Sequence, residues 1–368
     1  MPEDMVNRGW RIASPMGPVP EPSNFELVTL PMPVPGEGQV LMRTHVISIS
    51  PGVRPLLPYA GAEPDVANDG SAGRVDASGD ALPDPTRIKV GERMRAGIVP
   101  SMSPFAGGTV GQVIASRHPD FAPGDFIFGG RYWQEYEVVD GAASLRLDLA
   151  DLPIEADLTF LGRSAFTGWV GYRHYCAARK DDVMVVSAAA GAVGMLVVQM
   201  AKADGLTVIG IASGAEKCRF VTEELGADAC IDRTQDDIGT ALDRLAPSGV
   251  DIYFDNAGGW IQRPVFDCLK PFGRLIVCGM AAEYGGVENS TLATGLILAK
   301  RLRIQGFVVL DHENEYPQFR ADMARMWRSG KLVYRLDIHE GLEEAPRALA
   351  ACLTGQSVGG KILVRVRE

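Results

Sequence analysis

An apolar run that breaks into small residues constrains this chain more than any other segment. Val183-Met184-Val185-Val186-Ser187 leads into Ala188-Ala189-Ala190-Gly191-Ala192-Val193-Gly194, and a helix-period stretch follows over 195–203. A strand, a tight turn and a helix N-terminus fit that order. The N–H groups of such a turn, with the positive end of the helix dipole, attract an anion. Small side chains let a diphosphate approach the backbone. The pattern G-x-G-x-x-G is present with Ala189 in the first glycine's place, then Gly191 and Gly194. Two other readings compete: a turn made small only for packing, and a membrane span over 183–201. The run is long enough to span, but its small-residue middle, two different periods and unanchored flanks favour strand plus helix.

The next apolar stretch, 206–211, reads as the second strand of a β-α-β unit. NAD-binding units usually end that strand in an acid that holds the adenosine ribose. Here it ends in Ala212-Ser213-Gly214-Ala215-Glu216-Lys217. A carboxylate at the tip would repel a 2′-phosphate, whereas Ser213 and Lys217 can donate to one. Charge-assisted hydrogen bonds contribute roughly 1.5–3 kcal/mol each, so this tip favours NADP over NAD. Glu216 argues the other way, unless it points away from Lys217 as neighbours at a helix start do. A solvated pair at the helix start is the alternative.

Helical 216–225, strand 229–231, amphipathic 236–245, strand 250–254, helix 261–269, strand 274–278 and strand 303–309 continue the alternation. Alternating elements of this kind predict a parallel sheet covered on both faces. Right-handed crossovers make it doubly wound. The strand ends at 189–191, Ser213, Asp232-Arg233, Asp255-Asn256 and Cys278-Gly279 then form one ligand-facing lip.

Composition agrees. With 368 residues, two domains are the natural expectation. Net charge is 36 − 46 = −10 and the isoelectric point about 5.1, which disfavours nucleic acid or an anionic membrane as partner. The six cysteines are scattered without a C-x-x-C pair, so neither a zinc site nor a disulfide framework is suggested. No signal-peptide pattern opens the chain, and a reduced cytoplasmic setting is expected. The first 150 residues differ from the rest: short apolar runs at 10–13, 40–43, 109–116, 126–128 and 134–139 are separated by proline and glycine turns. Residues 58–92 are poor in large apolar side chains, have no clear period, and read as an excursion or lid. A helix over 316–330 and a strand over 359–366 close the chain.

The motifs 188–194, 213–218, Glu223-Glu224-Leu225-Gly226-Ala227-Asp228, Tyr253-Phe254-Asp255-Asn256 with Gly258-Gly259, Val277-Cys278-Gly279 with Tyr284, 306–312 and 129–136 are specific in combination. Through them the chain resembles the zinc-independent medium-chain dehydrogenases/reductases, in the branch of alkenal/one oxidoreductases, prostaglandin reductases and curcumin reductases. The resemblance covers most of the chain apart from 61–92. It implies an α/β fold: a Rossmann doubly wound parallel sheet plus a β-rich, partly barrel-like (GroES-like) catalytic domain. The expected division is a catalytic domain over 1–152 with an insertion or lid at 61–92, an NADP-binding domain over 153–313, and a C-terminal return to the first domain over 314–368. A homodimer is also implied.

The implied chemistry is NADPH-dependent reduction of a carbon–carbon double bond conjugated to a carbonyl, in an apolar enone or enal. Hydride goes to the β-carbon and negative charge develops on the carbonyl oxygen, so the site must supply donors there and exclude water. By resemblance, Gly191, Ala192 and Val193 meet the diphosphate, and Ser213 and Lys217 the 2′-phosphate. Asn256 lies near the nicotinamide ribose, Cys278 and 307–309 (Phe307, Val309) line the nicotinamide, and Thr167 joins the cofactor contacts. Tyr284 falls at a family tyrosine that positions cofactor and substrate carbonyl; packing on the cofactor is its alternative role.

Several positions depart from the family. Ser50-Pro51-Gly52-Val53-Arg54 replaces Asp-Pro-Tyr-Met-Arg, so Gly52 stands where a substrate-facing tyrosine would be, with Tyr59 as a possible substitute. Arg163 lies in Gly162-Arg163-Ser164-Ala165-Phe166-Thr167-Gly168, where relatives have Gly-Met-Pro-Gly-Leu-Thr-Ala. It is a candidate for recognising a carboxylate or polar carbonyl, with a structural salt bridge as the alternative. Arg233 offers a group to stack on adenine or touch phosphate. Where zinc-dependent relatives carry Gly-His-Glu, Gly107-Gly108-Thr109-Val110-Gly111 has no ligand, and the five histidines lack metal-like spacing, so no metal is expected. An NADPH-dependent quinone reductase and a non-catalytic NADPH-binding scaffold or sensor stay open as alternatives.

Overall fold

The computed structural model describes residues 6–60, 87–96, 108–284 and 290–367. The short apolar runs of the first part form β1 (Asn7–Ile12), β2 (Phe25–Leu30), β3 (Gln39–Ser48), β4 (Thr109–Ser116), β5 (Phe126–Gly130), β6 (Tyr136–Asp140) and β7 (Leu145–Arg146). β1 and β2 pair antiparallel, Trp10 opposite Leu27. Most of the expected 61–92 insertion lies outside the described residues; of the remainder, Ile88 is buried and its N–H donates to the Leu56 carbonyl.

A helix α1 (Arg163–Val170) then leads to the alternating middle of the chain. In order these elements are β8 (Val183–Ser187), α2 (Gly194–Ala203), β9 (Thr207–Ala212), α3 (Ala215–Arg219), β10 (Ala229–Asp232), α4 (Ile238–Leu245), β11 (Val250–Asp255), α5 (Gly259–Asp267), β12 (Leu269–Val277), α6 (Thr294–Lys300) and β13 (Arg303–Gly306). The six strands form one parallel sheet in the order β10-β9-β8-β11-β12-β13. Strand order reverses between β8 and β11, the switch point where doubly wound sheets bind ligands.

Why β8 is apolar from Val183 to Val186 is visible in its packing. Met184 and Val186 enter a core with Phe166, Leu196 and Phe319, while Val185 enters the opposite core with Leu242, Ile261 and Phe266. A strand buried on both faces cannot alternate polar and apolar residues. The run 183–201 is thus a strand and a helix joined by a turn, with Ala188 at φ 47° ending the strand. Among the described residues no helix is long and apolar enough to cross a membrane.

The chain ends with α7 (Tyr316–Arg328), β14 (Leu336–Glu340), α8 (Ala345–Thr354) and β15 (Lys361–Arg365). β15 lies antiparallel to β3, Val364 opposite Ile47, and parallel to β14. The second sheet runs β14-β15-β3-β4-β5-β7, with β6 also on β3. It joins the first and last segments of the chain and stays open from β14 to β7, so the partly barrel-like form expected from sequence does not close into a barrel.

Candidate functional site

The turn after β8 is held tightly from two sides. Gly191 N–H donates to the Ala188 carbonyl at 2.9 Å, and a Cβ on Gly194 would strike that same carbonyl and lie 2.8 Å from Ala189 Cα. From the far end of the chain, Gly360 N–H donates to the Ala190 carbonyl at 2.7 Å, and Gly360 pairs with Gly191. Gly360 has φ 86°, a conformation that only glycine adopts without strain. The amides of Ala192 and Val193 therefore stand at the start of α2, where a helix provides no acceptor of its own. α1 crosses here: a Cβ on Gly168 would be 3.1 Å from the Val193 carbonyl. The neighbouring Thr167 donates its hydroxyl to the Arg163 carbonyl at 2.9 Å.

At the tip of β9, Ser213, Lys217 and Arg233 converge on the C-terminal end of α8. Lys217 Nζ donates to Ser213 Oγ at 3.1 Å and to the Gly355 carbonyl at 2.7 Å. A Cβ on Gly355 would be 2.9 Å from an Arg233 guanidinium nitrogen and 3.5 Å from Ser213 Oγ. Burial, with Arg233 beside it, pulls the Lys217 pKa down. An anion placed among these groups would relieve that penalty. Glu216 faces outward, 3.9 Å from Arg335. The nearby acid, Asp232, accepts from Gly214 N–H at 2.7 Å and from Thr234 N–H and Oγ. Burial opposes its ionisation, but those hydrogen bonds prevail and hold its carboxyl below the ordinary range. The Arg233 guanidinium also lies 6.0 Å from the ring centroid of Trp260, an exposed tryptophan at the start of α5.

At the switch point, buried Asp255 accepts from Ser187 Oγ (2.7 Å), Ala257 N–H, Gly258 N–H and Gln262 Nε2. Asn256 is locked onto β8: its N–H donates to Ser187 Oγ and its Nδ2 to the Ser187 carbonyl, both at 2.8 Å. Its Oδ1 is buried and accepts nothing from the protein. A buried acceptor left unmade costs about 1–3 kcal/mol, so a ligand hydroxyl is the natural partner. Beside it stand half-buried Cys278, Phe307 and Val309, packed on the core. Burial raises the Cys278 thiol, with the Asp255 charge adding to it, so this side chain is a neutral apolar wall.

On the other side of the lip the groups come from segments remote in sequence: loops, a 3-10 turn and the first residues of α1 and β15. Tyr284 is buried, and its carbonyl accepts from Tyr59 Oη at 2.8 Å. Gly52 sits buried in the 3-10 turn Pro51–Leu56, and so does Arg54, which sequence reasoning passed over as part of an altered motif. The Arg54 guanidinium covers the Tyr59 ring at 3.5 Å and donates to the carbonyls of Gly17 (2.6 Å) and Pro18 (3.2 Å). Lys361 was also missed: it is buried, and its Nζ donates to the Ile49 carbonyl at 2.5 Å. Burial, with Arg163 adding to it, pushes its pKa down to about 8. Arg163 is itself enclosed, its pKa lowered by burial against the opposing pull of Tyr316 and Glu313. The structure thus brings Tyr59 to Tyr284 and Arg163 to Lys361.

Two further observations concern metals. In residues 108–111 only Thr109 has a polar side chain, and Cβ atoms on Gly108 and Gly111 would strike the carbonyls of Ala96 and Arg43. That stretch does not fit a zinc-ligand set. The histidines, read from their spacing as isolated, include two that meet: His174 and His312 share Glu315.

Residues 192–325 match the family described as zinc-binding dehydrogenase, and 83–147 match the N-terminal domain of oxidoreductase. The chain is 33% identical to the NADPH-dependent curcumin reductase of Escherichia coli over 98% of its own length and 97% of that protein. It is 34% identical to the NADP(+)-dependent 2-alkenal reductase of Nicotiana tabacum over 72% of this chain and 78% of that one. Among solved structures, CurA of Vibrio vulnificus in complex with NADPH superposes with a TM-score of 0.82, at 30% identity, covering 98% of this chain and 99% of that one. The chain therefore belongs to the medium-chain dehydrogenase/reductase family, in its alkenal/one oxidoreductase branch.

Proposed function

We propose that this protein is an NADPH-dependent reductase of the carbon–carbon double bond in α,β-unsaturated ketones and aldehydes, working without a metal. The observation that carries the reading is its end-to-end likeness to a curcumin reductase, on a fold whose β9 tip gathers a lysine, an arginine and a serine. In this reading the amides of Ala192 and Val193 hold the diphosphate, and Gly191, whose own N–H is taken by the Ala188 carbonyl, keeps the turn small enough for it to approach. Ser213 and Lys217 take the 2′-phosphate, and Arg233 stacks on adenine or touches phosphate. The unmade Oδ1 of Asn256 accepts from a ribose hydroxyl. When bound, the reduced nicotinamide supplies a hydride to the substrate's β-carbon. Cys278, Phe307 and Val309 exclude water from that face, with Thr167 flanking the turn.

Charge then appears on the substrate's carbonyl oxygen, and the protein must stabilise it. Tyr284 is the donor in our reading, with its backbone held by Tyr59. Gly52, buried in the turn Pro51–Leu56, stands where relatives place a tyrosine and offers no donor, and the enclosed charge of Arg163 favours an anionic or polar substrate end. The working form is a homodimer in the cytoplasm.

The direct test follows NADPH oxidation by the pure protein with a panel of enones, enals, quinones and saturated aldehydes, with and without chelator. Oxidation is expected with enones and enals and unchanged by chelation. Turnover of quinones alone would move the protein to the quinone reductases, and tight NADPH binding with no turnover would make it a scaffold. Tyr284→Phe should lower kcat by tenfold or more, about 1.4 kcal/mol, while the NADPH Kd stays within twofold. An unchanged kcat would reduce Tyr284 to packing.

A further inference from the structure

His174 and His312 are far apart in sequence, yet their rings lie 4.7 Å apart, centroid to centroid. His174 belongs to the widened turn Gly171–Tyr175 that continues α1, and His312 and Glu315 to the 3-10 segment Val309–Glu315. Glu315 bridges them: Oε2 is 2.8 Å from His174 Nε2, and Oε1 is 2.8 Å from His312 Nδ1. The second nitrogen of His312, Nε2, lies 2.8 Å from Tyr175 Oη. One nitrogen of each ring and a carboxylate oxygen all fall within 4.8 Å of one another.

Two imidazoles and a carboxylate form the donor set of open zinc sites, which leave the fourth position to water. The same set takes other first-row divalent ions in the Irving–Williams order. Ligand atoms about 2.0–2.2 Å from a tetrahedral ion stand roughly 3.4 Å apart. The two 2.8 Å contacts would widen by about half an ångström and the remaining separation, within 4.8 Å, would close toward the same value, by rotation of partly exposed side chains. Tyr175 supplies what a metal-bound imidazole needs on its far side: with Nδ1 of His312 on the ion, the Nε2–H donates to Tyr175 Oη and fixes the ring. The side chain of His174 is 37% exposed, which gives an ion a way in and leaves its outer face to water.

We propose that His174, His312 and Glu315 form a binding site for a divalent transition-metal ion of the zinc class. The ion would clasp the 309–315 segment to the 171–175 turn. Tyr175 connects that clasp to the lip, because its ring stacks on Phe307 at 5.1 Å. None of the three ligands belongs to the cofactor or substrate groups, so this site and the proposed reduction can fail separately.

The test uses the full-length protein, stripped with chelator and titrated with zinc alone by calorimetry, then with cobalt(II) by absorption. One equivalent of zinc should bind and raise the thermal midpoint. Glu315→Gln and the mild surface change His174→Asn should each weaken zinc at least about tenfold, the usual size of a disturbed metal shell, with near-UV circular dichroism unchanged. Cobalt should give d–d bands without thiolate charge transfer. Equal zinc affinity in wild type and both variants, no bound zinc, or thiolate bands placing the ion on cysteines would overturn the assignment.

Discussion

The two sides of the cleft are built by opposite means. Groups on the cofactor side stand at the tips of neighbouring strands of one parallel sheet, and backbone ladders place them: Ser187, Ser213, Asp232, Asp255 and Val277 end or follow β8 to β12. Groups on the substrate side come from segments distant in sequence, such as 50–59, Arg163, Tyr284 and Lys361. They are held by hydrogen bonds to remote carbonyls and by stacking, as with Lys361 on Ile49 and Arg54 on Tyr59. A sheet fixes position cheaply because every residue shares its ladder, whereas the loop side depends on buried cations that carry a desolvation penalty.

That contrast is most open to attack at Lys361. Its pKa in the fold is about 8 against an ordinary 10.5, so between those values the folded protein binds fewer protons than the unfolded chain. Stability from this group must then rise as pH increases from about 8 toward 10.5, and below 8 the buried ammonium destabilises the fold in full. A gap of 10.5 − 8 = 2.5 units corresponds to about 3 kcal/mol. Denaturant unfolding of wild type and Lys361→Met from pH 7 to 10.5 should show the difference between them moving in favour of wild type by up to that amount. A flat difference would mean that Lys361 is not a strained cation, and the contrast between the two sides would lose its energetic basis.

The same contrast explains what was legible in the sequence. Apolar runs located β4 over its full length and β9, β10 and β11 to within a residue or two, and α7 was placed as closely, because each buries apolar side chains in the core. β13 ends at Gly306 and not at 309, since Phe307 leaves the sheet to line the lip and Val308 is 54% exposed. α4 begins at Ile238, where Asp237 caps it through the Thr240 amide. α6, α8 and β14 were not anticipated; α8 is alanine-rich and packs through small residues that give little periodic contrast. The convergence of Ser213 with Lys217 was readable because both lie at one strand tip. The burial of Arg54 and Lys361 was not, because a cation's partners here are carbonyls of remote residues, and every residue has a carbonyl. The meeting of His174 with His312 is likewise a tertiary event with no spacing to announce it.

On the cofactor side the sharpest probe is Lys217→Ala. One charge-assisted contact is worth roughly 1.5–3 kcal/mol, so NADPH should bind about ten- to a hundredfold more weakly, with NADH changed less than twofold in calorimetric titration. Equal losses for both nucleotides would show that Lys217 supports the turn through the Gly355 carbonyl and does not read the 2′-phosphate. The lip would then be ordered by the same kind of remote carbonyl as the loop side, and the contrast would blur.

The smallest effect separates Tyr59 as a positioning residue from Tyr59 as a donor to substrate. Its hydroxyl hydrogen is given to the Tyr284 carbonyl at 2.8 Å, so in this arrangement it fixes a neighbour's backbone. Removing a hydrogen bond of this kind typically costs about 1 kcal/mol, which is about fivefold if all of it falls on the transition state. Tyr59→Phe should therefore lower kcat about fivefold and leave the NADPH Kd unchanged. Residues that act through one another are not additive, so the change should add little once Tyr284→Phe is in place. Should the two losses multiply, Tyr59 acts on the substrate directly, and the loop side supplies two independent donors in place of one donor and its support.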